Sequence, residues 1–293
     1  MPCSHVYHVA CVEKLRSYDI KQVCPTCRVD LPPGPEQVYE AAVRRWMVLH
    51  RRYYQGGDKP WRRIRNGDDR REHAEVVRMM TEAAEQGYAN AQYFFGAIYC
   101  HGQGVPQSDT LAVEWYRKAA EQGHADAQCN LGVMYREGKG GLPQSDALAV
   151  EWFRKAADQG HADAQCNLGV MYRHGQGGVP QSDAVAVEWY RKAADQGHAQ
   201  AQYNFGVMYE NGRGGLPQSG VLAVEWYRKA ADQGFANAQL NLGIIYATDQ
   251  GVPQNLTEAL RWLRKSYAGG HEKAAVAIEQ VLQLQRQQQG AAA

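Results

Sequence analysis

A tryptophan returns about every 37 residues through most of this chain. Trp115, Trp152, Trp189 and Trp226 each sit inside a copy of A-V-E-W-[YF]-R-K-A-A-[DE]-Q-G, and a looser copy follows at Trp262. Self-similarity at this period calls for a row of like units, each covering its apolar face with the next. The expected product is a solenoid with an extended surface. Binding, rather than chemistry, is therefore the first reading for most of the 293 residues.

Residues 124–160 show how one unit is built. HADAQCNLGVMYREG places Ala127, Leu131, Met134 and Tyr135 at helical spacing. Gly138, Gly140, Gly141 and Pro143 then interrupt the pattern. Ser145 or Asp146 can cap the next helix, because a short side-chain oxygen satisfies a backbone N–H there. ALAVEWFRKAADQG puts Ala149, Trp152, Phe153 and Ala156 on one stripe, and Gly160 suits a left-handed helix end. Glu151 and Lys155 lie four apart, a pairing worth ~0.2–0.5 kcal/mol on a solvated face. The spacing predicts two antiparallel helices joined by a Gly-rich loop. Gly132 recurs as Gly96, Gly169, Gly206 and Gly243. Since Gly inside a helix costs ~1 kcal/mol relative to Ala, its expected role is to admit the second helix closely. The repeated Trp are expected in the core, where Trp152→Ala would cost ~3–5 kcal/mol.

These residues resemble a known family. Leu131-Gly132-x-x-Tyr135 followed by Ala149-x-x-x-Phe153 is similar to the tetratricopeptide pattern, but the unit is longer, its loop is enlarged, and Gln128 stands at the tetratricopeptide Trp position. All three departures resemble the Sel-like repeat family, with A-x-x-x-L-G-x-x-Y, G-x-G and A-x-x-W-[YF]-x-x-A-A-x-x-G in order. The resemblance implies an all-α fold, a right-handed α-solenoid of helix-turn-helix repeats. It also implies an adaptor between proteins, including in ubiquitin-dependent degradation. The repeat boundaries expected from the recurring Gly are 88–123, 124–160, 161–197, 198–234 and 235–270. Residues 74–87 read as a half-repeat cap with Met79 at the Trp position. Residues 271–293 read as a capping helix, with Glu279 at the Gly position, and a disordered tail from 285 onward.

Residues 35–73 read as a basic helical linker. Ten Arg or Lys stand against three Asp in 44–71, interleaved with Trp46, Tyr53, Tyr54 and Trp61. The expected arrangement packs the aromatics on the first repeat and leaves the Arg heads in water. A stripe for RNA is the weaker reading, because no nucleic-acid motif accompanies it. The formal net charge of +1 gives no field for nucleic acid or anionic membrane. No apolar run reaches the ~18 residues a membrane span needs, so none is expected. Four of the seven Cys lie in the first 27 residues, and Cys129 and Cys166 hold equivalent repeat positions. This is thiol and metal usage rather than a disulfide framework, and points to a reducing compartment, cytoplasmic or nuclear. No Ser/His/Asp or phosphate-loop pattern is present. His124, His161, His198 and His271 follow the helix-ending Gly and are expected as turn residues at the surface, since sites on separate units do not converge.

The N-terminus, residues 1–34, carries different chemistry. Cys3-x-His5-x-x-His8-x-x-Cys11 is followed by Cys24-Pro25-Thr26-Cys27-Arg28. Ligands one to three residues apart form chelating pairs, and two pairs fill a tetrahedral zinc shell. The segment resembles the distal part of a RING finger of the two-histidine subtype. That resemblance implies a cross-braced order with bound Zn2+, in which Cys3, His5, Cys24 and Cys27 make a complete site and His8 and Cys11 half of a second. The other half, a C-x-x-C, is expected ahead of Met1 in a longer form, unless the module is a remnant. Grouping Cys3, His5, His8 and Cys11 instead would strand Cys24 and Cys27. The resemblance also implies that Val12, Leu15 and Pro25 face a ubiquitin-conjugating enzyme, with Leu15 where many such fingers carry Trp. Arg28 is the candidate that clamps ubiquitin onto its carrier. Such a protein transfers ubiquitin with no nucleophile of its own, by holding the thioester for a substrate lysine.

Three functions follow. The first is a RING-type ubiquitin ligase whose solenoid recruits substrate, the second a non-enzymatic scaffold with a vestigial zinc module, and the third a basic RNA-associated adaptor. On the solenoid, positions that vary among otherwise equal copies are the candidate partner contacts. They are Tyr93, Cys129, Cys166, Tyr203 and Leu240 in the first helices, and His101, Glu137, His174, Asn211 and Thr248 near their ends.

Overall fold

A computed structural model describes residues 33–53, 67–103, 105–249 and 251–291. The described residues form thirteen helices. The chain divides into two compact units, Met1–Ala127 and Gln128–Ala293. Among the described residues no helix is long and apolar enough to cross a membrane.

The first unit contains helices α1 (Pro35–Tyr53), α2 (Gly67–Glu85), α3 (Ala89–His101) and α4 (Asp109–Glu121). Ala42 of α1, Val76 and Met80 of α2, and Phe95 and Ile98 of α3 share a core, with Trp115 of α4 packed against it. Of the basic stretch, Trp46 meets Phe94 edge-on with ring centroids 5.6 Å apart. Arg44 and Arg45 are exposed, Arg45 pairing with Glu75 at 2.9 Å. Tyr54 and Trp61 lie outside the described residues. The half-repeat helix begins at Gly67, earlier than residue 74, because the polar run GDDRREH continues it without a breaker.

Helix α5 (Ala125–Glu137) spans the division. The second unit continues with α6 (Asp146–Asp158), α7 (Ala162–His174), α8 (Asp183–Asp195), α9 (Ala199–Glu210), α10 (Gly220–Asp232), α11 (Ala236–Thr248), α12 (Leu256–Ala268) and α13 (Lys273–Ala291). Within it, successive hairpins stack as in a solenoid. Of the two candidate caps, Ser145 accepts from the Leu148 N–H at 3.3 Å. Asp146 takes the first helical turn, where its carboxylate meets the positive end of the helix.

The recurring glycine is explained by contact. A Cβ on Gly169 would lie 2.5 Å from the Tyr190 ring, and one on Gly132 2.8 Å from Phe153. Tyr190 and Phe153 are fully buried. The hairpin closes only because that Cβ is missing, and the close packing outweighs the ~1 kcal/mol propensity cost of Gly. The enlarged loop has a similar cause. At Gly177, φ is +69°, and a Cβ would lie 2.5 Å from the Asp146 carbonyl of the preceding unit. The loop therefore lies directly on its neighbour's helix start.

Two expectations are corrected. Trp152 is half-buried rather than in the core, as are Trp115, Trp189 and Trp226; only Trp262 is buried. The ring after the Trp fills the hairpin, while Trp189 and Trp226 lie against the cores that join the preceding repeat to their own. The C-terminal segment expected to be disordered from 285 is helical to Ala291. Gln and Arg propagate a helix well, and Gln288 donates to Gln254 at 2.9 Å.

Candidate protein-binding surface

Polar as well as apolar residues join one repeat to the next. Gln92, Gln128, Gln165, Gln202 and Gln239 are each buried in a first helix. The Gln165 amide N–H donates to the Ala157 carbonyl of the preceding second helix at 3.2 Å. Its carbonyl accepts from Gln196 at the end of its own second helix at 2.7 Å. Gln202 repeats both bonds, to Ala194 at 3.2 Å and from Gln233 at 2.8 Å. In the first unit Gln92 does the same with Ala84 and Gln122 at 3.0 and 2.7 Å. One amide thus ties three helices together. A buried amide left without partners is costly, so this ladder sets stacking register as well as contributing stability.

Histidine caps complete the joint. The Ala201 N–H donates to Nδ1 of His198 at 3.1 Å, and the Ala164 N–H to Nδ1 of His161 at 3.3 Å. His124 receives the Ala127 N–H in the same way at 3.3 Å. Across the repeat boundary, Nε2 of His198 lies 2.6 Å from the Asp163 carboxylate. This fixes the tautomer, with Nε2–H donating and Nδ1 accepting. The expectation of plain surface turn residues is thereby corrected for His124, His161 and His198: these imidazoles satisfy N–H groups that every helix start leaves open.

Lysine covers the outer side of the half-buried tryptophans. The ammonium groups of Lys118, Lys155, Lys192 and Lys229 lie 4.0, 4.1, 4.1 and 3.6 Å from the ring centroids of Trp115, Trp152, Trp189 and Trp226. Lys155, expected to pair with Glu151, sits over Trp152. Each such contact is worth ~0.5–1 kcal/mol at exposed sites.

With these positions assigned to stacking, the candidate contacts separate into two groups. Cys129 and Cys166 are buried in the cores of their repeats and do not face a partner. Burial pushes the Cys166 thiol up to about 12, so it stays a neutral apolar group. Tyr203 packs on Tyr227 and Phe235, Leu240 packs against the core around Leu260 and Leu263, and Tyr93 stacks on His124. This register serves inter-repeat packing. By contrast, His101, Glu137, His174, Asn211 and Thr248 are all exposed. Of the two groups of candidate contacts, only the one at the ends of the first helices reaches solvent.

The metal candidates Cys3, His5, His8, Cys11, Cys24 and Cys27, and the partner candidates Val12, Leu15, Pro25 and Arg28, lie outside the described residues. Among the described residues no cluster of His, Cys, Asp or Glu has the makings of a metal site. The ladder glutamines were the signal that sequence reasoning left unused. A Gln at one fixed position of every apolar first helix marks a buried amide with fixed partners.

This architecture defines a class: a repeat scaffold suited to protein–protein interaction. The chain belongs to the Sel1 repeat family, which matches at residues 89–124, 125–161, 162–198, 199–235 and 236–271. It is similar to a Sel1 repeat protein from Oxalobacter formigenes, with 30% identity, TM-score 0.65, and coverage of 82% of this chain and 86% of that one. It is also similar to c5321, a protective antigen of uropathogenic Escherichia coli with an SLR fold, at 35% identity and TM-score 0.66. That match covers 86% of this chain but only 52% of the other, so the chain spans about half of that relative. No curated protein sequence matches the chain.

Proposed function

We propose that the repeats are an adaptor that recruits substrate proteins for RING-type ubiquitin ligation, with zinc held at the N-terminus. The scaffold part rests on one observation. The buried residues that recur among repeats are spent on stacking, while the first-helix ends vary and are exposed. A surface of this kind changes its partner without disturbing the fold.

The ligation part rests on the order and spacing of the N-terminal ligands. Cys3, His5, Cys24 and Cys27 make a three-thiolate, one-imidazole donor set, which fits zinc. Bound zinc would fold this short segment. Val12, Leu15 and Pro25 would then present an apolar face to a ubiquitin-conjugating enzyme, and Arg28 a cation to ubiquitin. The chain would supply positioning, and the lysine nucleophile would come from the substrate.

Metal analysis of the purified chain is expected to give one zinc per molecule, lost in a Cys24→Ser, Cys27→Ser variant. A chain carrying a C-x-x-C pair ahead of Cys3 is expected to transfer ubiquitin from a conjugating enzyme. No transfer by that form across a panel of conjugating enzymes would remove the ligase reading and leave the scaffold. Photo-crosslinking groups at Glu137, His174 and Asn211 are expected to capture protein partners that a group at exposed Arg154 does not. Equal capture from all four would contradict the assignment of the partner surface.

A further inference from the structure

The repeats are nearly identical, so a place where one departs in several residues at once carries information. The fourth repeat does so at its junction with the fifth. A groove of about 540 Å³ there is lined by Glu210, Asn211, Gln218, Gly220, Ile245 and Gly251. This lies within the ~300–1,000 Å³ typical of binding sites. At the position of Glu210, the second and third repeats hold Arg136 and Arg173. At the position of Gly220, they hold Asp146 and Asp183. The fourth repeat has therefore exchanged a cation for a carboxylate at one side of the groove, and removed a side chain from the other.

We propose that this groove binds an extended segment of a partner protein through a Lys or Arg side chain. The proposal rests on the reading of the repeats as a protein scaffold. Three features support this occupant. Glu210 accepts the Tyr227 hydroxyl at 2.8 Å, which holds the carboxylate in place, and among the described residues it forms no ion pair. Its charge is thus available to a cation brought from outside, and part-burial makes such a pair stronger than one in open solvent. Ile245, only 2% exposed, gives an apolar floor for the methylene stem of that cation. The side-chain amides of Asn211 and Gln218 line the same groove and offer donors and acceptors of the kind a peptide backbone requires, with one Asn211 N–H already given to the Val207 carbonyl at 2.8 Å. Val221, 54% exposed beside Gly220, adds an apolar contact at the rim.

The test uses the full chain, immobilised, and a degenerate library of dodecapeptides with acetylated and amidated ends, so that only side chains carry charge. The wild-type chain is expected to retain a pool enriched in Lys or Arg at one position. Glu210→Arg and Gly220→Asp restore what the other repeats carry at these positions, so both variants are expected to fold with near-native helicity and unfolding midpoint. For one selected peptide, Glu210→Arg is expected to lower affinity about tenfold or more, because reversing the complementary charge acts directly on the bound state, whereas Gly220→Asp, which adds a carboxylate to the groove, is expected to keep the preference for a basic residue. A pool without basic enrichment, no retained pool, or equal affinity in the wild type and the folded Glu210→Arg variant would overturn the proposal. Partner capture from Glu137, His174 and Asn211 separates the two readings. If it persists while peptide selection fails, the groove assignment falls alone; if both fail, the scaffold falls with it.

Discussion

Phe153→Ala is expected to lower the stability of the chain by ~3–5 kcal/mol. Phe153 is fully buried, and it fills the space that Gly132 leaves open. Truncation leaves a cavity between two helices whose backbones already approach as closely as they can, so collapse cannot recover the lost contacts. Trp152→Ala is expected to cost roughly half as much, because the ring is only half-buried and the stabilisation follows the apolar area removed from water. Urea unfolding of both variants, read by far-ultraviolet circular dichroism, checks the order. A greater loss for Trp152→Ala would mean that the tryptophan, and not the ring beside it, holds the hairpin.

Gln165→Leu is expected to cost ~1–3 kcal/mol, although Leu keeps a similar volume and is the more apolar residue. The change removes the bond to the Ala157 carbonyl and leaves the Gln196 amide without its buried partner. The two glutamines act as one unit, so the double variant Gln165→Leu, Gln196→Leu should lose less than the sum of the single changes. A double-variant cycle under the same unfolding conditions measures this coupling. Additive losses would mean that the ladder is incidental to stacking.

The fold was legible because each local signal agreed with the next. Trp spacing gave the unit, Ser145 and Gly160 marked the second helix, and Gly132 anticipated the close approach of Phe153. The contacts between units were less legible. Helical periodicity tells which residues share a face, but not whether another unit covers that face. Cys129, Cys166, Tyr203 and Leu240 therefore read as variable surface, although they lie in a stacking contact. The tryptophans read as core for the same reason: their apolar mass was evident, but the lysine one turn later, which covers the open side of each ring, was read as pairing with glutamate. His198 gave no sign of capping, since imidazole is an uncommon cap and its partner Asp163 stands a whole repeat away. Among the candidate contacts, those at the first-helix ends are exposed because a Gly follows most of them and leaves them at a turn.

If stacking follows one rule at every joint, a whole unit is removable. Deleting residues 162–198, one complete Sel1 repeat, brings His161 to the position of His198 and joins two chain ends in the same register. The shortened chain is expected to keep the helical signal per residue of the parent and to unfold cooperatively in urea, with a smaller dependence on denaturant in proportion to its reduced size. A shortened chain that is unfolded, or that loses its cooperative transition, would contradict the central claim that equivalent joints build this scaffold.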